Sequence, residues 1–281
     1  MMSPVVVITG ASSGIGAALA RRLAFDRARL VLAARREAEL KAVCEEALKL
    51  GAKTAIAVTG DVTKRADVLK IRDAALEARG RIDVWVNNAG RGITRSVLEL
   101  TDEDIDEMIA VNVKSAIYGM QAVIPHFIER RSGHLINVSS FLGRVPIASF
   151  RSAYSAAKAA LNSLTANLRM DLRDYPGIDV TLVMPGVVAT EFARNVRGEA
   201  RPPISAGVPG SSPMKPQTAE EVAERIAEVI KHPVAEIYTN PASADIARRY
   251  YADVAAFEGA GSPPPSSTPD TTRSDRTESR A

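Results

Sequence analysis

The most constraining feature of this chain is a repeated alternation. Short apolar, β-branched runs at Val5–Thr9, Arg29–Ala34, Thr54–Val58, Asp83–Val86, Gly133–Val138, Asp179–Val183 and Glu236–Tyr238 are separated by longer segments of helical period. The helical segments run over Gly14–Phe25, Glu37–Leu50, Lys64–Ala78, Asp102–Arg131, Ser152–Tyr175 and Thr218–Lys231. Runs such as VVVIT and LVLAA are apolar on both faces, which suits central parallel strands covered by helices on each side. Strand and helix in strict succession predict one α/β domain with a doubly wound parallel sheet of about seven strands, not two domains. At 281 residues with 46% hydrophobic side chains, the chain has ample material for one large core.

Two segments break the rhythm. Residues 187–217 carry five prolines with several Gly and Ser, and a connection of that length in a compact domain predicts a substrate-binding loop or lid. From residue 259 to 281, Gly, Pro, Ser, Thr and charge replace every large apolar residue, which predicts a disordered tail after a domain spanning 1–258.

Composition excludes several functions. Lys and Arg total 36 against 33 Asp and Glu, a net +3 with both signs interspersed, so no basic face argues for nucleic acid. One cysteine, Cys44, and three histidines without ligand spacing predict no disulfide framework and no metal site. The N-terminus lacks a basic signal-type region, and no apolar run approaches the roughly 20 residues of a membrane span. No membrane partner is expected, and a cytoplasmic location is the default expectation. Trp85, His126, His134 and Cys44 are expected in structural roles.

The first strand leads into Gly10-Ala-Ser12-Ser13-Gly14-Ile15-Gly16 and then a helix. Gly10 permits a tight exit, a side chain at Gly14 would block an approaching pyrophosphate, and Gly16 lets the helix pack closely. The helix N-terminus offers free N–H groups to an anion. This is a dinucleotide-binding turn of the Rossmann type. The second strand ends in Arg35-Arg36, where an acid would repel a 2′-phosphate and a guanidinium can pair with it. NADP(H) is therefore expected over NAD(H).

Further blocks follow in order: Asp61-Val62, Asn87-Asn88-Ala89-Gly90, Asn112, Tyr154-Ser-Ala-Ala-Lys158 and Pro185-Gly186. With the TGxxxGxG turn they make residues 3 to 240 resemble the short-chain dehydrogenase/reductase family. The resemblance implies an oxidoreductase interconverting a ketone or aldehyde with an alcohol, its site built from Asn112, Ser140, Tyr154 and Lys158. It implies cofactor contacts from Asp61, Val62, Asn88, Ala89 and Gly90. After Pro185 and Gly186 it adds a backbone contact from Val188 and a hydroxyl from Thr190, which suits a helix cap equally well. Lys158 is implied to bind the nicotinamide ribose, and the Asn112 carbonyl to hold a water that relays protons.

The Tyr-Lys spacing also has chemistry of its own. Residues i and i+4 share a helical face, and a phenol that titrates at about pH 10 is brought toward neutrality by a nearby ammonium. Ser140 precedes Tyr154 by one position more than is common in the family, so Ser139 stays open as the polarising hydroxyl. The extra residue is expected to bulge within residues 144–151. Apolar residues around the expected pocket point to a small-molecule substrate that is mostly apolar, with Arg91, Arg95, Arg144 and Arg151 either meeting an anionic group or facing solvent. An epimerase or dehydratase, and a non-catalytic nucleotide sensor, are the competing functions on the same fold. The resemblance implies a homodimer or homotetramer through the helices of 102–131 and 152–175.

Overall fold

The computed structural model describes residues 3–189, 197–198 and 215–259. The expected lid, apart from its two ends and residues 197–198, and the expected tail from 260 onward lie outside the described residues, as does Thr190. Seven strands form the main sheet: β1 (Val5–Thr9), β2 (Arg29–Ala34), β3 (Thr54–Thr59), β4 (Val84–Asn87), β5 (Gly133–Val138), β6 (Ile178–Met184) and β7 (Glu236–Tyr238). Their spatial order is β7-β6-β5-β4-β1-β2-β3, and every pairing is parallel. The order reverses direction at β1, so the crevice outside the carboxyl ends of β1 and β4 is the switch point where such sheets bind ligands.

The helices are α1 (Gly14–Phe25), α2 (Glu37–Lys49), α3 (Arg65–Arg79), α4 (Asp102–Ile109), α5 (Ser115–Arg130), α6 (Ser152–Asp171), α7 (Ala219–Lys231), α8 (Ala242–Ala252) and α9 (Val254–Gly259). Two apolar layers cover the sheet. One gathers α1, α2 and α7 over Val6, Ile8, Leu30 and Leu32; the other gathers α3, α5 and α6 over Val7, Val31, Trp85 and Leu135. Adjacent residues of one strand thus feed opposite layers, which is why those strands read as apolar throughout.

The structure departs from expectation at several element ends. The helix expected over Asp102–Arg131 is interrupted, because Ala110–Lys114 forms a π-turn between α4 and α5. The helix expected to reach Tyr175 stops at Asp171. β4 starts one residue later than expected, at Val84; the carboxylate of Asp83 just before it accepts from the Val5 backbone N–H at 2.8 Å. Helices α8 and α9 had no expectation at all. Their cover is a small cluster of its own, in which Phe141 and Val145 pack with Ile246 and Ala247.

The residues read as structural behave so. Trp85 is fully buried and donates through Nε1 to Asn87 Oδ1 at 2.7 Å. His126 accepts from the Ile82 N–H, and buried His134 meets Thr181 Oγ1 at 2.9 Å. Burial pushes the Cys44 thiol up to about 11, which makes it a poor nucleophile at neutral pH.

Candidate active site

The glycine turn is shaped by what a side chain would strike. Gly10 and Gly14 have φ of 67° and 56°, the left-handed region that glycine enters freely. A Cβ on Gly10 would lie 2.8 Å from Ala89 Cα, and one on Gly16 would lie 2.5 Å from Gly10 O and 2.6 Å from Asn88 Nδ2. Helix α1 therefore begins pressed against the turn that follows β4. Its N-cap, Ser13, makes no side-chain capping bond, and its first turn holds no acid. Free N–H groups and the positive end of the helix dipole at a glycine cradle are a fitting seat for a dinucleotide pyrophosphate.

The two turns are joined by Thr9 and Asn88. Thr9 Oγ1 donates to Val86 O and accepts from the N–H groups of Asn88 and Ala89 at 3.0 and 3.2 Å. Asn88 Nδ2 in turn donates to Thr9 O and Gly10 O at 2.8 and 3.3 Å. Asn88 is thus a brace between strand ends, and Thr9 is a member of the site that sequence reading missed. A threonine closing an apolar strand carries no signal until the partner turn is known.

At the end of β2, Arg36 reaches back to that cradle. Its guanidinium donates to Ser13 Oγ at 2.7 Å and to Ser12 Oγ at 3.2 Å. Asp61 lies close enough for Arg35 to act on it. Burial raises the Asp61 carboxyl, but two hydrogen bonds from Thr63, with Arg35 and Lys64 nearby, hold it below its ordinary value overall. Val62 packs on the core layer under β3.

Across the switch point, the catalytic candidates converge. Tyr154 and Lys158 are both buried on one face of α6, with Lys158 Nζ at 5.7 Å from the Tyr154 ring centre. Lys158 Nζ donates to Val138 O at 3.0 Å, and burial brings its pKa down to about 8. The expectation that the ammonium lowers the phenol is corrected here. Burial pushes Tyr154 above its ordinary value, against opposing pulls from a Ser140 hydrogen bond and the Arg151 charge. Desolvation outweighs the nearby Arg151 charge and the Ser140 hydrogen bond.

The two serines are turned to different work. Ser140 hydrogen-bonds Tyr154 and accepts from Leu142 N at 3.1 Å. Ser139 Oγ bonds Lys158 O at 3.2 Å and Asn162 Oδ1 at 2.5 Å, and Asn162 Nδ2 donates to Gly143 O. The 3₁₀ turn Phe141–Gly143 is thereby fastened to α6; a Cβ on Gly143 would come within 2.6 Å of the Lys158 carbonyl carbon. Ser139 and Asn162 are positioning residues that the sequence did not separate from the reactive pair.

Asn112 sits in the π-turn, almost fully buried. Its amide donates to Arg91 O at 2.9 Å and Met108 O at 3.1 Å, and its Oδ1 accepts from Arg91 N at 3.2 Å. The side chain thus grips the turn after Gly90 from both sides. A Cβ on Gly90 would meet Asn112 Oδ1 at 3.0 Å and Lys158 Nζ at 3.4 Å, so Gly90, Asn112 and Lys158 share one corner.

On the far side, Pro185 O accepts from Phe141 N at 2.8 Å, and Gly186 rests 3.3 Å (from a Cβ position) against Asn240. Val188–Ala189 pairs in parallel with Gln217–Thr218, closing the base of the long loop. Gln217 is tied to Thr239 in both directions, and Asn240 donates to Lys215 O. Phe192, an apolar residue within the expected lid, lies outside the described residues. A separate hollow of about 310 Å³, lined by Arg169, Tyr175, Asp179 and Ala235 among others, opens at the opposite rim of the sheet.

Known proteins agree with this architecture. The family model for short chain dehydrogenases matches residues 4–201. An uncharacterized oxidoreductase of Staphylococcus epidermidis is 36% identical over 186 residues, covering 66% of this chain and 78% of that protein. One from Bacillus subtilis is 40% identical over 190 residues, covering 67% and 53%. A short chain dehydrogenase/reductase from Burkholderia phymatum, solved in complex with NAD, superposes with a TM-score of 0.78 at 31% identity, covering 90% of this chain and 94% of its own. A metagenomic short-chain oxidoreductase in complex with NADP gives 0.68 at 31% identity, covering 84% and 95%. With its parallel sheet, glycine cradle and paired Tyr and Lys on one helix, the chain belongs to the short-chain dehydrogenase/reductase family and is an oxidoreductase of that type.

Proposed function

We propose that this protein is an NADP(H)-dependent oxidoreductase that interconverts a ketone or aldehyde with an alcohol, Tyr154 carrying the proton. The observation that carries the reading is the meeting of Tyr154, Ser140 and Lys158 at the carboxyl rim of β5, next to the corner that Asn112 holds. A bound nicotinamide dinucleotide supplies or accepts the hydride. Gly10, Gly14, Ile15 and Gly16 cradle its pyrophosphate. Arg35, Arg36, Ser12 and Ser13 form the 2′-phosphate seat, and Asp61, Val62, Asn88, Ala89 and Gly90 flank the adenosine half. Pro185, Gly186, Val188 and Thr190 serve the nicotinamide half.

In reduction, a phenol held above its ordinary pKa by burial stays protonated at neutral pH and can donate to the carbonyl oxygen. Ser140 offers its hydroxyl to the same oxygen. Lys158, which titrates at about 8, keeps a positive charge at neutral pH beside the phenolate that donation leaves. Asn112 holds the Gly90–Arg91 turn and so the floor of this corner. The substrate is mostly apolar, a reading supported by the apolar cluster in which Tyr154 itself sits, with Ile93, Met108, Val113 and Ala157 and with Leu142 packed against it. The unit of function is a homo-oligomer, and the 187–217 loop is the substrate lid.

The test is oxidation of NADPH and NADH against a panel of ketones and aldehydes. Tyr154→Phe is expected to lower kcat by about 10²- to 10⁴-fold, the usual worth of a general acid, with NADPH affinity kept within about twofold. Undiminished turnover by the variant would remove Tyr154 from the chemistry.

A further inference from the structure

Four arginines border the proposed pocket, and three of them are spent. Arg91 pairs with Glu107, Arg95 with Asp104 at 3.0 Å, and Arg144 with Glu236 at 2.7 Å. Arg151 differs. It sits three residues before Tyr154 at the start of α6, half-buried, and has no carboxylate partner among the described residues. One of its five N–H donors goes to a neutral acceptor, the Ile93 carbonyl at 3.2 Å, and the guanidinium carbon lies 5.7 Å from the Phe150 ring centre. Its charge is close enough to act on the Tyr154 phenol.

A half-buried guanidinium without a counter-ion is costly, and a fork with spare donors is built for a planar anion. The surroundings narrow the choice further. Ile93, whose carbonyl Arg151 contacts, belongs with Ala153, Ala157 and Tyr154 to one buried apolar cluster against which Leu142 packs, and Lys158 is already engaged with Val138 O. A single cation in such a place balances one negative charge. A phosphate dianion would leave a surplus charge against apolar side chains, whereas a carboxylate would not.

We infer that Arg151 is a specificity-determining residue that binds a carboxylate on the substrate, so that the protein acts on keto acids, or the matching hydroxy acids, with an otherwise apolar body. The inference rests on the reading of Tyr154 as the proton carrier and deepens it. The acid group then fixes which carbonyl of the substrate faces the phenol.

The first test compares benzoylformate and 3-benzoylpropanoate with their methyl esters, at saturating NADPH, in wild type and Arg151→Gln. The wild type is expected to favour at least one acid over its ester by tenfold or more in kcat/KM. In Arg151→Gln that ratio should collapse toward one, chiefly through KM. A wild-type ratio at or below one for both pairs overturns the inference. So does a ratio that survives the substitution, because a purely structural arginine would lower both substrates together.

The second test needs no turnover. Calorimetry on the NADP⁺-loaded protein should find 4-phenylbutanoate binding at least tenfold tighter than 4-phenylbutanamide, the preference being lost in Arg151→Gln and kept in Tyr154→Phe. Equal binding of acid and amide by wild type overturns the inference even if ketones are reduced. Selective acid binding without turnover upholds Arg151 while removing the reading of Tyr154.

Discussion

Arg36 shows how much one side chain can carry. Its guanidinium ties the end of β2 to both serines of the glycine turn, and Arg35 stands directly before it. Each hydrogen bond to a charged group contributes about 1.5–3 kcal/mol. Replacing the pair as Arg35→Asp with Arg36→Leu should therefore lower the NADPH-to-NADH ratio of kcat/KM by roughly ten- to a hundredfold. A ratio that does not move would place the 2′-phosphate elsewhere. A second residue-scale effect belongs to His134, whose imidazole burial depresses to about 4. The unfolded chain, with its ordinary value of 6.5, then binds the extra proton between pH 6.5 and 4 while the native state does not. Stability is complete above about 6.5 and falls as the pH drops through that window, by about 3 kcal/mol in all. Denaturant titrations of wild type and His134→Gln at pH 7 and pH 4.5 should show the smaller loss in the variant.

At the scale of elements, α6 is the part on which the site depends, and its fixing is buried. Asn87 Nδ2 donates to Asn137 Oδ1 at 2.9 Å, Asn137 Nδ2 donates to Thr165 Oγ1 at 2.9 Å, and Thr165 Oγ1 donates to Leu161 O. This chain runs from β4 through β5 into α6, with Asn137 and Thr165 fully buried. Thr165→Val keeps the shape but leaves the Asn137 amide short of an acceptor, which should cost about 1–3 kcal/mol in unfolding free energy. Coenzyme affinity should stay near wild type, since the cradle lies on β1 and α1; a parallel loss of NADPH binding would contradict that division. The sequence displayed α6 by its period and its Tyr-Lys pair, but not this anchor. Asn137 and Thr165 look like ordinary polar interruptions until strand register and helix packing bring them together. The π-turn was equally hidden, because Ala110 to Lys114 contains no Gly or Pro to mark a break and only the grip of Asn112 on residue 91 reveals why the helix widens there.

The whole molecule leaves an apolar stretch uncovered. Val97 and Leu98 are 70% and 98% exposed, and Ile105 and Ile109 share one face of α4 at 45% and 39%. These residues precede and line the helical region through which assembly is proposed. A stretch of this kind on a folded subunit favours burial against another copy. Sedimentation should give a particle at a multiple of 30.0 kDa, and Leu98→Glu with Ile105→Glu should shift it toward a single chain. A single-chain mass for the unmodified protein would refute the assembly.

What the sequence determined by itself is whatever rests on local chemistry. Strand period and length fixed the sheet elements to within a residue at most ends. Glycine spacing fixed the cradle, because glycine enters the φ of residues 10 and 14 freely and a Cβ at Gly10 or Gly16 would strike the facing turn, and i, i+4 spacing put Tyr154 and Lys158 on one face. The tertiary structure alone decided the environment of those groups. Whether the Tyr154 phenol moves up or down depends on the balance between burial, the Ser140 hydrogen bond and the Arg151 charge. The division of labour between Ser139 and Ser140 depends on how the end of β5 packs on α6, which brings Ser140 to Tyr154 and Ser139 to Lys158 O and Asn162. The pairing of Arg91, Arg95 and Arg144, and the absence of a carboxylate for Arg151 among the described residues, depend on how separate elements pack, Arg144 meeting Glu236 from far along the chain. Desolvation and long-range pairing are properties of packing, and no window of sequence contains them.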